Sequence, residues 1–175
     1  LAALLGENVS DDGHLTGVPA ARGAAALDGD TATSWITPFG EPTGHRLTLS
    51  GSSTASTLSV TQPEGDFSPV TELDLTDADG TVSVSIVPTS PGVIQLPRAM
   101  SLDELTIEIT GVDPRTTIDR RFGEPIVLPA AISEIVFDGA SPGLAPVETI
   151  TAECRSDLVE LDGRRVLQEV RGRDR

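Results

Sequence analysis

Residues 26–35 read Ala-Leu-Asp-Gly-Asp-Thr-Ala-Thr-Ser-Trp and bring together two aspartates, a glycine and the only tryptophan of the chain. A turn bent at Gly29 can direct oxygen atoms of Asp28, Asp30 and Thr33 towards one point, which is the arrangement that a hard cation such as calcium binds. Asp-Gly turns also form without any metal. The pattern alone predicts either a cation loop or an ordinary turn.

Length and composition indicate one globular domain, or one domain with a short extension. The chain has 175 residues, of which 38% are hydrophobic, and it has no apolar run long enough to span a bilayer, so we expect this segment not to be inserted in a membrane. It begins at Leu1 and its first residues lack the basic flank of a secretion signal, so we expect it to be part of a longer protein. The net charge of −15 disfavours binding to nucleic acid.

Hydrophobic and polar residues alternate along many short runs, and this period of two predicts β-strands. The runs are residues 46–49, 57–60, 71–76, 82–87 and 105–109. Residues 77–80 read Asp-Ala-Asp-Gly and predict a hairpin loop in which the carboxylates serve the turn. Residues 20–26 predict one or two helical turns, limited by Gly23. The predicted class is all-β, with turn signals at the intervals of a β-sandwich.

A second segment, residues 129–137, places a carboxylate inside an apolar strand pattern. Glu134 lies among Ile132, Ile135 and Val136. If the strand is buried on both faces, the ionised carboxylate requires a cation or a cluster of hydrogen-bond donors. If it is an edge strand, Glu134 can face water. A calcium ion shared with residues 28–33 would provide a partner and would join two segments about a hundred residues apart.

These two segments together resemble the discoidin-like domains, also called coagulation factor 5/8 C-type domains, and the galactose-binding-like carbohydrate-binding modules of the same fold. Residues 26–35 match the family signature, which runs from alanine through Asp-Gly-Asp to threonine and tryptophan. Residues 132–139 are similar to the family's closing strand. The resemblance spans about residues 7–140 and implies a jelly-roll β-sandwich over residues 1–143.

In many members of this family the two segments build one structural calcium site. The resemblance implies six ligands here: the side chains of Asp28, Asp30, Thr33 and Glu134 and the carbonyls of Ala25 and Ser133. Trp35 would then be a core residue beside the loop. The alternative is a turn that has lost its metal and is held by hydrogen bonds alone.

The tail carries a second resemblance. Residues 154–166 are similar to the junction that follows such a domain in large actinobacterial α-(1→3)-arabinofuranosyltransferases, which are membrane glycosyltransferases of cell-wall arabinan synthesis. This resemblance implies an extracytoplasmic location in a membrane-anchored parent protein whose other modules are partners of this one. It also implies that residues 144–175 start a following β-rich module, with strands at 158–161 and 165–167 around a turn at Asp162 and Gly163.

The sequence predicts no catalytic residue. Residues 139–143 read Gly-Ala-Ser-Pro-Gly, but a nucleophile elbow needs a backbone N–H after the serine, and Pro142 has none. His14 and His45 lack a neighbouring nucleophile or metal-binding pattern, and we expect them at the surface or at strand ends.

A sugar-binding surface needs aromatic side chains, and only 3% of the residues are aromatic. With Trp35 and Phe137 assigned to the core, the remaining candidates are Phe39, Phe67 and Phe122. The predicted ligand contacts lie in one loop, residues 113–122, and are Arg115, Arg120, Arg121 and Phe122. The alternative is that the arginines pair with the acidic surface and Phe122 fills a satellite core.

These features predict a non-catalytic carbohydrate-binding or substrate-positioning module, with arabinan or galactan as the expected polysaccharide. The alternative is a structural or protein-interaction β-sandwich that binds no glycan.

Overall fold

The computed structural model describes residues 9–88 and 92–140, together with the backbone of two strands in the tail, residues 153–161 and 164–170. The chain divides into two units, Leu1–Leu144 and Ala145–Arg175. In the second unit, Glu153–Leu161 and Arg164–Val170 form an antiparallel pair, which confirms the two predicted tail strands. The predicted turn at Asp162 and Gly163 lies outside the described residues, as does Ser141.

Strands dominate the described part of the chain. They are β1 (Val9–Asp11), β2 (Trp35–Ile36), β3 (Arg46–Leu49), β4 (Thr54–Thr61), β5 (Val70–Asp77), β6 (Gly80–Ser85), β7 (Ile94–Ser101), β8 (Leu105–Val112), β9 (Thr116–Ile118), β10 (Pro125–Val127), β11 (Ala131–Ile132), β12 (Glu134–Phe137), β13 (Glu153–Leu161) and β14 (Arg164–Val170). Two short 3-10 helices, Pro19–Ala21 and Gly23–Ala26, precede β2. None of the described helices is long and apolar enough to cross a membrane.

The first unit is a sandwich of two antiparallel sheets. One sheet has the strand order β1-β3-β8-β5-β6 and the other has the order β12-β4-β7. Two-stranded pairs, β2 with β11 and β9 with β10, complete the unit. The period-two pattern of β8 explains its place at the centre: Leu105, Ile107 and Ile109 are fully buried, while the residues between them face outwards. The predicted all-β sandwich is confirmed.

The core lies between the two sheets and includes the tryptophan of the opening motif. Trp35 is fully buried, as predicted, and its indole N–H donates to the carbonyl of Gly13 at 3.1 Å. Phe137, from the closing strand, is also buried in this cluster. A buried indole whose N–H has an acceptor adds a large apolar area to the core without leaving a polar group unpaired. Trp35 therefore anchors the motif in the core.

The helical material predicted for residues 20–26 forms two 3-10 turns separated by Arg22, whose backbone is extended. Gly23 follows at the start of the second turn, against β1 and β3. A Cβ at Gly23 would collide with the side chain of Leu47 and would lie 2.9 Å from the Cβ of Asp11. The backbone N–H of Gly23 donates to the Asp11 carboxylate at 2.8 Å. Close packing and this hydrogen bond therefore dock the second turn onto the sheet.

A buried ion pair joins the two sheets at one edge. Asp77 ends β5 with a fully buried carboxylate, and Arg98 of β7 binds both of its oxygens, at 2.7 and 2.5 Å. The N–H groups of Asp79 and Ser101 donate to the same carboxylate at 2.9 and 3.0 Å. The predicted hairpin turn at residues 77–80 is confirmed, and Gly80 adopts φ 122° there. The carboxylate thus serves the turn and the junction between sheets together.

We expect Gly23→Ala to lower the free energy of unfolding by about 1–3 kcal/mol, the usual cost of overpacking a tight site. Urea unfolding at neutral pH measures this cost. The Leu47→Ala variant removes the side chain that the new methyl group meets, so the two substitutions together should cost less than the sum of their separate effects. Purely additive effects would contradict the steric explanation.

The Arg98 guanidinium, together with the backbone N–H groups of Ser101 and Asp79, holds the pKa of Asp77 well below its usual range. A carboxylate with a depressed pKa in the folded state stabilises the fold above its unfolded pKa of about 3.9, and that contribution is lost as the pH falls further. Asp77→Asn should therefore lower the urea midpoint strongly at about pH 7 and much less at about pH 2. The exposed Asp66→Asn is the control; an equal pH dependence of the two variants would contradict the role of the ion pair.

Candidate functional site

The opening motif forms a loop held by its own side chains. The second 3-10 turn ends at Ala26, and buried Leu27 anchors the start of the loop. Asp28 accepts a hydrogen bond from the N–H of Asp30 at 2.9 Å, and the carboxylate of Asp30 accepts one from Ala32 at 3.0 Å. Gly29 adopts φ 78° between the two aspartates. The turn bent at Gly29 is confirmed.

Oxygen atoms from separate parts of this loop converge on the hydroxyl of Thr33. Its Oγ1 lies 2.8 Å from Oδ2 of Asp28, 2.9 Å from the carbonyl of Asp30 and 3.3 Å from the carbonyl of Ala25. Oxygens of Asp28 and Ala25 thus lie around the Thr33 hydroxyl. Asp30 contributes its carbonyl to this cluster, whereas the resemblance implies its side chain, of which Oδ1 accepts the N–H of Ala32.

Strand β11 and the closing strand β12, which come much later in the sequence, lie next to this loop. Trp35 pairs with Ile132, and the hydroxyls of Ser34 and Ser133 lie 2.9 Å apart. Glu134 follows at once and is only 4% exposed. Strand β12 is an edge strand, but the Glu134 side chain is buried, so the hypothesis that it faces water is wrong.

The donor chemistry of this loop fits a hard cation. The groups are carboxylate, hydroxyl and carbonyl oxygens, the ligand types that calcium takes. Within residues 9–88 and 92–140, no three His, Cys, Asp or Glu side chains are grouped as a metal centre. A cation here would therefore depend on neutral oxygens from Ala25, Asp30 and Thr33 as much as on carboxylates. We call residues 25–33 with Ser133 and Glu134 the cation loop.

The predicted ligand-contact residues lie in two different parts of the first unit. Arg120, Arg121 and Phe122 lie at the exposed tip of the β9–β10 hairpin, which we call the ribbon. Arg115 lies at its base, where its N–H donates to Ser68 Oγ at 3.1 Å and its carbonyl accepts from Leu128 at 2.8 Å. Phe122 is 70% exposed, so the alternative of a satellite core is wrong.

A groove of about 430 Å³ opens beside the base of the ribbon. Its wall combines one aromatic ring, Phe67, with the Arg115 guanidinium, which donates to the carbonyl of Gly65 at 3.2 Å. The other lining residues come from the end of β4, the loop after it, and the segments around Pro88 and Ala131: Val60, Thr61, Gln62, Pro63, Glu64, Pro69, Pro88 and Ala131. We call this the Phe67–Arg115 groove.

Hydrogen bonds from a side-chain amide to the backbone hold the loop that lines the groove. The side-chain amide of Gln62 donates to the carbonyl of Val70 at 2.9 Å and accepts from its N–H at 2.7 Å, which closes the loop between β4 and β5. Sequence reasoning missed Gln62 and the loop around it, because an amide that bridges two backbone groups leaves no periodic signal. Only Phe67 and Arg115 were recognisable beforehand, as an aromatic and a charged loop residue.

The two histidines lie where predicted, at the surface or at a strand end: His14 is partly exposed in the segment after β1, and His45 immediately precedes β3. His14 is within 2.9 Å of Asp11, and His45 is within 3.4 Å of Asp12. Asp11 also holds the N–H of Gly23, and Asp12 that of Arg46 at 3.0 Å, so each aspartate already supports the local backbone. These pairs are parts of the scaffold beside β1 and β3.

Searches with protein-family models and among curated proteins find no match for this chain. Solved structures do resemble it. A mutant of mycobacterial arabinofuranosyltransferase AftD matches with a TM-score of 0.59 and 20% identity, over 78% of this chain and 11% of that chain. Another AftD structure from Mycobacteria matches with a TM-score of 0.52 and 21% identity, over 74% of this chain and 10% of that chain.

The CBM32-1 and CBM32-2 domains of Clostridium perfringens ZmpB match with a TM-score of 0.50 and 13% identity, over 75% of this chain and 34% of that chain. The chain spans about a tenth of the length of the AftD structures. At these identities the likeness establishes architecture. The first unit therefore has the β-sandwich fold that also occurs in mycobacterial AftD and in the CBM32 domains of ZmpB.

Proposed function

We propose that this chain is a non-catalytic carbohydrate-binding or substrate-positioning accessory module that holds a glycan in the Phe67–Arg115 groove. The observation that carries the proposal is the groove itself, where an aromatic ring and a fixed guanidinium line one concave surface. Sugar-binding sites combine an apolar face for the sugar ring with polar groups for its hydroxyls. Phe67 would supply the first and Arg115 the second.

The scaffold supports binding at this groove because it fixes Arg115 before a ligand arrives. Arg115 is held through its backbone N–H and carbonyl and through one guanidinium bond to Gly65. Its remaining N–H groups can donate to sugar hydroxyls. Preorganised groups lose little conformational freedom on binding, so a shallow groove with one aromatic ring can still hold an oligosaccharide.

We further propose that the parent protein is an extracytoplasmic cell-wall glycosyltransferase of the arabinofuranosyltransferase kind. Two observations support this: the resemblance of residues 154–166 to the junction in such enzymes, and the fold that the first unit shares with mycobacterial AftD. In that setting the groove would hold arabinan or galactan near the enzyme, while the chemistry takes place in another part of the parent chain.

A structural or protein-interaction sandwich is the second candidate. The observation that favours it is the low aromatic content, 3% of the chain, which leaves a single aromatic ring in the groove. Glycan binding separates the two candidates directly, because a purely structural module has no reason to bind a free oligosaccharide.

Isothermal titration calorimetry with arabinan and galactan oligosaccharides tests the proposal. We expect at least one of them to bind, and we expect Arg115→Gln to weaken it about tenfold, the cost of losing a charged hydrogen bond. Phe67→Ala should weaken it similarly by removing the stacking face.

Phe39→Ala is the matched control, because Phe39 is 54% exposed and does not line the groove. Thermal melts of each variant check that the fold is retained. Heat from neither oligosaccharide, or an equal loss in Phe39→Ala, would favour the structural candidate.

We also propose that the cation loop binds a structural calcium ion. Asp28, the hydroxyl of Thr33 and the carbonyls of Ala25 and Asp30 would hold it from one side, and Ser133 and Glu134 would contribute from the closing strand. The ion would offset the mutual repulsion of the carboxylates that surround it. Its role would be to tie the start of the sandwich to its end.

Calcium binding at this loop should raise the melting temperature by about 5 °C or more when the ion is at roughly a hundred times its dissociation constant. Differential scanning calorimetry with calcium and then with excess chelator measures the shift. Asp28→Asn keeps an oxygen for the N–H of Asp30 but removes the charge, so its melt should no longer respond to chelator. Asp103→Asn, an exposed acid in the β7–β8 turn, should respond like the wild type; equal melts of the wild type with and without calcium would refute the site.

A further inference from the structure

The tip of the ribbon is a rigid turn. The N–H of Asp119 donates to the carbonyl of Glu124 at 2.8 Å, and the N–H of Gly123 donates back to the carbonyl of Asp119 at 2.7 Å. The Asp119 carboxylate accepts the N–H of Arg121 at 2.7 Å, and Gly123 adopts φ 72°. Arg120, Arg121 and Phe122 are therefore presented from a turn closed by its own hydrogen bonds.

The two arginines of this tip make no ion pair within the described part of the chain. Two other arginines of the first unit do have carboxylate partners: Arg46 binds Glu108 at 2.7 Å, and Arg98 binds Asp77. Among the residues described, neither Arg120 nor Arg121 lies within ion-pair distance of a carboxylate. The chain has 27 acidic and 12 basic residues, so two unpaired cations side by side stand out against its net charge.

Phe122 adds an apolar surface beside these two guanidinium groups. The guanidinium of Arg121 lies 5.2 Å from the centroid of the Phe122 ring, a cation–π distance. Such a contact orients the guanidinium plane while leaving its N–H edges able to donate to an anion. The ring is 70% exposed, and Ile118 beside the turn is 58% exposed. An arginine next to an open aromatic ring can bind a sugar ring and an acidic substituent on it together.

We infer that the ribbon tip binds an anionic group carried by a sugar chain, either the carboxylate of a uronic acid or a phosphate substituent. This inference rests on the proposed function, because the groove at the base of the ribbon would hold the neutral part of the same chain. Each strand of the ribbon has three paired residues, about 10 Å at 3.3 Å per residue, so a short oligosaccharide can reach from base to tip. The ligand class is therefore an acidic glycan.

Two neighbouring carboxylates work against this binding. Glu124 is exposed at the end of the same turn, and its charge opposes an approaching anion. Asp119 is close as well and carries the same charge, but its carboxylate also holds the turn by accepting the N–H of Arg121. The Glu124→Gln variant should therefore bind an acidic glycan more tightly than the wild type does, an effect that a merely structural role of the tip would not produce.

The test compares three probes by calorimetry: a neutral galactan oligosaccharide, an oligogalacturonate of the same length, and the neutral oligosaccharide carrying a terminal 6-phosphate. We expect at least one acidic probe to bind about fivefold or more tightly than the neutral one at low salt, since a charged hydrogen bond contributes that much. Binding of the uronate alone identifies the carboxylate as the ligand group, and binding of the phosphate alone identifies the phosphate. The advantage should shrink as salt rises from about 0.01 M to about 1 M.

Arg121→Gln should abolish the advantage of the acidic probe, whereas Arg46→Gln makes the same change of net charge on the five-stranded sheet and should leave it intact. Phe67→Ala should weaken all three probes through the groove. If neutral glycan binds and depends on Phe67 but acidic probes gain nothing, the inference about the tip fails alone. If acidic probes bind through Arg121 without any effect of Phe67→Ala, the groove proposal fails alone, and an equal loss in Arg46→Gln overturns the inference in either case.

Discussion

The segment from Leu128 to Glu134 links the groove, the base of the ribbon and the cation loop. The carbonyl of Leu128 accepts from the Ser68 hydroxyl at 2.7 Å, and Ser68 in turn holds the N–H of Arg115 at the base of the ribbon. The N–H of Ala130 donates to Thr37, which is fully buried, at 3.0 Å. Residues 130–134 are all buried, and the last two of them belong to the cation loop. A displacement of this one segment would disturb the groove, the ribbon and the cation loop together.

Two aspartates, Asp77 and Asp138, also hold the sandwich together. Asp77 is buried and bound by a guanidinium and two N–H groups, so its charge is compensated within the protein. Asp138 also joins two parts of the fold, but it lies at the surface. It accepts the N–H groups of Ser56 and Thr57 at 2.9 and 2.8 Å, and these bonds lower its pKa. One carboxylate joins the two sheets and the other pins the closing strand to β4, so acidic residues hold the fold as well as giving the chain its charge.

Local patterns allowed the strands and the opening loop to be predicted, because alternation in β5 and β8 and the Asp-Gly turn are properties of neighbouring residues. Contacts between distant residues left no such pattern. Asp77 was predicted as a turn residue, but its pairing with Arg98 depends on how the two sheets stack. Glu134 was ambiguous for the same reason: strand position and side-chain burial are separate properties, and β12 is an edge strand with an inward-facing carboxylate. The groove forms from irregular backbone around Gln62, which no periodicity describes.

The charge of the molecule has a consequence for selectivity at the ribbon. At long range the net charge of −15 repels polyanions, so a densely charged chain such as nucleic acid meets an unfavourable field before it reaches Arg120 and Arg121. At contact distance the same two guanidinium groups attract a single anionic group, because the repulsion of the distant acids is screened over about 8–10 Å at physiological salt. An acidic protein with two adjacent guanidinium groups at this turn therefore favours ligands whose charges are isolated and set in a mostly neutral chain. A glycan with occasional acidic substituents has that charge distribution, whereas a nucleic acid or an anionic membrane does not.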